Sequence, residues 1–291
     1  MLWQNEKTVV IGKNQNAYAE VDLDYAESAG IRVSRRLSGG GAVYHDMGNV
    51  NYTFITSSEK ATALDYAYFT HPIIEALAAL GVHAELSGRN DLECEGKKFS
   101  GNAQYTGDGR ILHHGTLLFN TDADVMSRVL RVDREKLAYR AVKSHKGRVC
   151  NLASLLGGIT VEEFIGHIES HVYKAMDAES MPVPESEEIE KLTERNASRE
   201  WIFSDKRYLT EYTVVRRKRY PFGIVCAEMT LSGNQIEVIL FSGDFFGIQP
   251  ITELENALCG QSLDALPDID PSPYIAGMSR EELVSLLRNT N

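Results

Sequence analysis

The apolar pattern of the chain changes period several times, and each change predicts an element. Thr8-Val-Val-Ile11 and residues 31–35 are short β-branched runs that predict strands, as do residues 50–56. Residues 18–29 predict a short helix stopped by Gly30. Between 61 and 80, Leu64, Ala67, Tyr68, Ile74, Leu77, Ala78 and Leu80 recur at near-helical spacing, and Gly81 is the stop. His71-Pro72 falls inside that helix and predicts a kink. Val82–Leu86 predicts a strand. Asp91–Cys94 and Lys97–Tyr105 then flank the turn signal Glu95-Gly96 and predict a hairpin. Ile111–Asn120 is a further strand and Asp122–Leu130 a short helix.

Thr160-Val-Glu-Glu163 is a capping box that opens a helix to about Ala175. Pro182 and Pro184 among glutamates mark a composition break, followed by a polar helix at 186–197. Beyond about 212, strands at 213–216, 222–231 and 235–241 precede a helix at 251–259 and a last helix capped by Ser279 with Glu282. This order predicts a catalytic part over 1–208 and a small α+β accessory part over 212–291.

Composition narrows the class. The 291 residues are 43% hydrophobic, enough for a sizeable core. No apolar run approaches the ~20 residues that span a bilayer, and the N-terminus has no signal-peptide pattern. Cys94, Cys150, Cys226 and Cys259 form no C-x-x-C pair, which argues for reduced thiols and a cytoplasmic location. The net charge of −11 argues against nonspecific nucleic-acid binding. Yet residues 128–148 carry eight Lys/Arg against Asp133 and Glu135, a local +6, which marks a docking or phosphate-covering strip.

Chemistry is densest in Arg35-Arg-Leu-Ser-Gly-Gly-Gly-Ala-Val-Tyr-His-Asp46. Three consecutive glycines weaken a strand but let backbone N–H groups approach an anion. Arg35 and Arg36 add planar cationic forks, and Ser38, Tyr44 and His45 add donors. A plain glycine-rich hairpin needs fewer glycines, so an anion cradle is the favoured interpretation. The spacing is neither G-x-G-x-x-G nor a P-loop.

A second constellation is Gly88-Arg-Asn-Asp-Leu92 with Gly96-Lys-Lys-Phe-Ser-Gly-Asn-Ala103. Asn90 and Asp91 offer oxygen ligands of the kind Mg²⁺ accepts beside phosphates. Strand alternation puts Lys98 and Ser100 on one face and Phe99 on the other; taken alone, Lys97-Lys98 reads as a solvated pair. In His113-His-Gly-Thr-Leu-Leu118 the adjacent histidines face opposite ways, so they share no metal. One is an ordinary strand histidine, and the other can line a pocket.

These three segments, with Arg148-Val-Cys-Asn-Leu152, Trp3-Gln-Asn, Thr8-Val-Val-Ile-Gly12, Gln15-Asn16 and Gly243-Asp-Phe-Phe246, resemble the lipoate–protein ligase family over nearly the whole chain. Family members ordinarily carry a further strand and helix ahead of the point where this chain starts, so either the start is truncated or the lipoate pocket is completed differently. The resemblance implies an α+β, biotin/lipoate-ligase-like catalytic domain with mixed sheets, related to class II aminoacyl-tRNA synthetase cores, and a small α+β C-terminal domain. It implies a cytoplasmic, monomeric enzyme that uses ATP and Mg²⁺ to make lipoyl-AMP. The lipoyl group then passes to a lysine of the lipoyl domains of 2-oxoacid dehydrogenases or of glycine-cleavage H protein.

Carried onto this sequence, the resemblance assigns ATP contacts to Arg36, Gly41, Ala42, Val43, Tyr44 and Lys98. It makes Lys98 the catalytic cation and gives the lipoate slot to Trp3, Arg35, Ser38, Gly40, Lys98 and His114. Asn90 and Asp91 become Mg²⁺ ligands, and Lys143, Lys146 and Arg148 belong to a loop covering the adenylate. Two competing functions are an octanoyl or lipoyl transferase using Cys150, its thiol acidified by Lys146 or Arg148, and a non-enzymatic lipoate or acyl-protein sensor.

Overall fold

A computed structural model describes residues 1–131, 149–176 and 185–289. Its described residues fall into two compact units. One comprises Met1–Val10, Val21–Val33 and Val43–Glu194; the other comprises Ile11–Glu20, Ser34–Ala42 and Arg195–Asn291. The glycine loop is thus grouped with the C-terminal part rather than with its flanking strands.

The first unit is built on a six-stranded antiparallel sheet. Its strands are β1 (Leu2–Trp3), β5 (Asn49–Ser57), β6 (Glu85–Ser87), β7 (Asp91–Cys94), β8 (Lys97–Gly107) and β9 (Arg110–Leu118), ordered β1-β5-β9-β8-β7-β6. Helices α3 (Tyr66–Ala79) and α5 (Val161–Met176) supply much of its apolar cover. Their spacing delivers Ile73, Leu77, Phe164 and Ile168 to a core with Tyr52 and Phe99, all at most 1% exposed. Deep burial of that many large side chains is the main stabilising term here, roughly 1.5–3 kcal/mol for each relative to exposure. A three-stranded sheet, β3-β2-β4, is made from β2 (Thr8–Ile11), β3 (Arg32–Arg35) and β4 (Val43–His45).

The helix expected over 18–29 is two pieces, α1 (Ala17–Glu20) and α2 (Leu23–Ser28). Val21 between them forms a bridge to Leu130, just past α4 (Ala123–Val129). Asp22 then caps α2 by accepting from Tyr25 N–H at 3.0 Å. The helix expected from 61 starts at Tyr66, because Leu64 takes φ +64° and Asp65 is the N-cap. Pro72 sits inside α3. The strand expected at Val82–Leu86 is the shorter β6. The hairpin and the Thr160 capping box form where the sequence puts them.

In the second unit, β10 (Val214–Tyr220), β11 (Gly223–Ser232) and β12 (Gln235–Gly243) form an antiparallel meander. Alternation along β11 buries Val225, Ala227 and Met229 against α9 (Ile251–Leu258) and α10 (Arg280–Arg288). The polar helix expected at 186–197 is α6 (Glu187–Ala197). Sequence periodicity missed the short α7 (Arg199–Phe203) and α8 (Asp205–Tyr208), which carry no apolar repeat long enough to register. The architecture is α+β, as expected.

Candidate functional site

In the first unit the chemistry sits on the β7–β8 hairpin. Glu95 and Gly96 both take positive φ, +52° and +71°, as a two-residue hairpin turn demands. Across the hairpin Lys98 Nζ lies 2.7 Å from Asp91 Oδ1, with both side chains partly exposed. The alternation expected of Lys98 and Ser100 fails at a bulge: Leu92 opposes Ser100 and Glu93 opposes Lys98, so Phe99 is the extra residue. Ser100 is fully buried among polar partners, whereas the Lys98 ammonium lies over Gly101, 3.1 Å from where a Cβ there would be. Lys97 is exposed. The Lys98 carbonyl accepts from Cys150 N–H at 2.9 Å, which ties the strand to the Cys150 segment.

Asn90 is held by Asn102. Its Nδ2 donates to Asn102 O at 2.6 Å, and its own carbonyl accepts from Asn102 N–H (2.9 Å) and Nδ2 (3.0 Å). Asn102 in turn belongs to a buried cluster with Tyr52, Gln104 and His113. His113 stacks on Phe69 at 4.7 Å, and burial pushes its imidazolium down to about 3, so the ring is neutral. It is the ordinary core histidine of the pair. His114 is half-buried on the other face of β9. Trp3 donates from Nε1 to Thr53 Oγ1 at 3.1 Å and meets His45 edge-on. Val43 pairs with Val10 in the β2–β4 ladder. The Tyr44 ring is buried, and desolvation, reinforced by Asp46, Asp122 and Tyr25, pushes its phenol up to about 12.

Within the second unit the glycine loop is shaped by backbone packing. A Cβ on Gly39 would collide with the carbonyl of Phe245, and Gly40 N–H donates to that same carbonyl at 3.2 Å. Gly40 also takes φ +88° against the Phe246 ring. Gly243-Asp-Phe-Phe246 therefore backs the loop. Gly41 is open by comparison, its would-be Cβ no nearer than 3.9 Å to Asp244.

The two arginines part company. Arg36 folds over the loop, donating from Nε to Ser38 Oγ at 3.2 Å and from Nη2 to the carbonyls of Gly39 (2.7 Å) and Gly41 (2.8 Å). Arg35, expected in the lipoate slot, is instead 5% exposed and committed to main chain. It donates to the carbonyls of Gly12, Lys13, Gln15, Trp201 and Ile202 and lies over the Tyr208 ring. Those bonds occupy the Nε, Nη1 and Nη2 donors inside the protein, so its task there is structural. Ser38 is also buried, its carbonyl accepting from Lys13 N–H at 2.8 Å. Lys13 is a cation that sequence patterns did not single out. Burial holds its ammonium below the usual lysine range.

Lys143, Lys146 and Arg148 lie outside the described residues. No cluster of three or more metal-ligating His, Cys, Asp or Glu occurs among the described residues. Asp91 with Asn90 still fits a Mg²⁺ ion that draws its remaining ligands from phosphate and water, because such ions need only one or two protein carboxylates. Cys150 is no poised nucleophile. Burial and the nearby Cys94 hold its thiol above the usual range, and Sγ faces the Lys97 carbonyl at 3.7 Å.

Comparison with known families decides between these chemistries. A model of the lipoyl protein ligase A/B catalytic domain matches residues 1–172, and one of the bacterial lipoate protein ligase C-terminus matches residues 210–287. The chain belongs to the lipoate–protein ligase family. Lipoate-protein ligase LplJ of Bacillus subtilis is 36% identical, with 99% of this chain and 90% of that protein aligned. Lipoate–protein ligase 1 of Staphylococcus aureus gives the same identity and the same coverage. Among solved structures, P. falciparum LipL1 in complex with lipoate superposes with a TM-score of 0.75 at 25% identity, covering 90% of this chain and 76% of that one. A lipoate-protein ligase A bound with ATP gives 0.55 at 27% identity, covering 72% and 82%. The Cys150 transferase is not supported by any of these relatives.

Proposed function

We propose that this chain, an enzyme of the ligase class, uses ATP to activate lipoate and joins it to a lysine of an acceptor protein. The observation that carries this is the presence of both family modules, catalytic and C-terminal, in one chain with 36% identity to lipoate–protein ligases. The division into a catalytic part, 1–208, and an accessory part, 212–291, belongs to the same proposal.

In the first step the lipoate carboxylate attacks the α-phosphorus of ATP; the acyl–phosphate bond forms and pyrophosphate leaves. In the second, an acceptor lysine amine attacks the acyl carbon and AMP leaves. Carboxylate and triphosphate repel, so the first step needs fixed positive charge. Lys98 supplies it at the acyl oxygen and α-phosphate, held in place by Asp91. Arg36 and the segment Gly41, Ala42, Val43 and Tyr44 bind ATP. Trp3, Ser38, Gly40 and His114 shape the lipoate slot, and Arg35 serves it by bracing the loop rather than by contact. Asn90 and Asp91 would hold Mg²⁺, which neutralises phosphate charge when bound. Lys143, Lys146 and Arg148 are assigned to the adenylate by family pattern alone.

Acceptors are lipoyl domains, a class supported by the archaeal bipartite ligase solved as a system with its E2 lipoyl domain (28% identity, TM-score 0.62), and glycine-cleavage H protein. No described helix is long and apolar enough to cross a membrane. The four cysteines are free thiols, which suits the cytoplasm, and the enzyme acts as a monomer. The test is ATP–pyrophosphate exchange with lipoate, octanoate and biotin in parallel. Lipoate-dependent exchange is expected; acyl transfer without ATP would overturn the proposal in favour of a transferase, and the absence of both exchange and transfer would favour a sensor.

A further inference from the structure

The buried cluster beneath Asn90 has a polarity that can be traced bond by bond. It starts at a backbone donor, Leu64 N–H, which can only donate, here to Gln104 Oε1 at 2.6 Å. That sets the Gln104 amide, so its Nε2 donates to Asp65 O (3.3 Å) and faces His113 Nδ1 at 3.1 Å. Nδ1 must then be the unprotonated nitrogen, and Nε2–H donates to Asn102 Oδ1 at 3.2 Å. Asn102 Oδ1 also accepts from the Tyr52 hydroxyl. Its Nδ2 is thereby turned to donate to Ser100 Oγ (3.3 Å) and to the carbonyl of Asn90 (3.0 Å), a group that can only accept. Both ends of the relay are main-chain groups of fixed sense, and every member between them agrees with both.

Gly115 makes room for this. It is the register partner of both Tyr52 and Asn102, and a Cβ there would collide with both side chains, so the hydroxyl reaches across it. Asn90 answers by donating its Nδ2 to the Asn102 carbonyl at 2.6 Å. That bond engages one of the two Nδ2 hydrogens and fixes the amide's orientation, and among the described residues no hydrogen bond is made to Oδ1, so the oxygen is there to offer a ligand. An oxygen suits a cation, not a phosphate.

We propose that Asn102 is a positioning residue of the ligase: set by the relay Leu64–Gln104–His113, it locks the Asn90 turn with Oδ1 presented as a ligand to the divalent cation that accompanies ATP. This rests on the assignment of Asn90 to that cation. His113 acts through Asn102 and touches no substrate.

The test measures Mn²⁺ binding by electron paramagnetic resonance, with the full chain and the non-hydrolysable analogue α,β-methylene-ATP. Asn90→Ala is the reference. Asn102→Asp keeps the shape but loses the donor to Asn90. His113→Leu breaks the relay, and His113→Gln restores one acceptor and one donor. For variants that keep the melting temperature, Asn102→Asp and His113→Leu should weaken Mn²⁺ binding about tenfold, the scale of losing a partner that orients a ligand, and His113→Gln should recover most of it. Nitrogen-15 spectra should show His113 as the neutral Nε2–H tautomer. If Asn90→Ala weakens Mn²⁺ but neither Asn102→Asp nor His113→Leu does, the positioning role is wrong. If Asn90→Ala changes nothing, the cation assignment falls and the inference falls with it. Should Asn102→Asp not fold, the two His113 variants and the tautomer decide: equal affinity in both, or an Nδ1–H ring, overturns the relay.

Discussion

The glycine loop and the Lys98 hairpin are held by opposite means. The loop is held by main chain: Gly39 and Gly40 lie directly against Phe245 and Phe246, and Arg36 reaches back to loop carbonyls. The hairpin is held by side chains: an Asp91 ion pair, a bulge at Phe99, and the Asn102–His113 cluster beneath. A loop shaped by close approach is intolerant of any added Cβ yet indifferent to chemistry. A hairpin shaped by side chains tolerates volume changes at its surface but not loss of a particular charge or donor.

The largest expected effect tests the hairpin. Lys98→Ala should lower the adenylation rate about 10²–10³-fold, the cost of one preorganised donor, with the melting temperature little changed because the side chain is partly exposed. Lys97→Ala should act like wild type. Equal losses in single-turnover assays of the two variants would remove Lys98 from its role.

A stability contrast tests the loop. Gly39→Ala should cost about 1–3 kcal/mol, because the Phe245 carbonyl must move. Gly41→Ala, with its nearest neighbour at 3.9 Å, should stay within about 0.5 kcal/mol. Urea unfolding of both would settle whether backbone contact or anion binding demands the glycines; equal costs would break the contrast.

His113 gives the hairpin side a pH signature. Its folded pKa, about 3, lies below the ordinary histidine value of 6.5, so the unfolded chain binds more protons between them. Its contribution is present above about pH 6.5 and is lost as pH falls, at up to ~1.4 kcal/mol per pH unit. His113→Gln should flatten the decline of melting temperature between pH 6 and 4; an unchanged slope would show that other groups cause it.

The smallest effect is expected at Cys150. Cys150→Ala should leave lipoylation within about twofold of wild type, since a half-buried thiol with a raised pKa is a poor nucleophile. A hydroxylamine-sensitive acyl group on Cys150 in mass spectra would contradict this.

What the sequence by itself determined is local or repetitive. The Glu95-Gly96 turn, the Thr160 and Ser279 capping boxes and the strand at 222–231 were legible because each needs only residues a few positions apart. The family motifs were legible for the same reason, as contiguous strings. What only the tertiary structure decided depends on distant partners. Val21 breaks the 18–29 helix because Leu130 bridges to it. Arg35 turns to main chain because Trp201 and Ile202 bring carbonyls to it. Phe245 claims Gly39, and Asn102 orients Asn90 only because Tyr52 and His113 lie on neighbouring strands. A residue's type fixes what it can donate or accept, but which partner takes the bond is set by chain segments that meet only when the protein has folded.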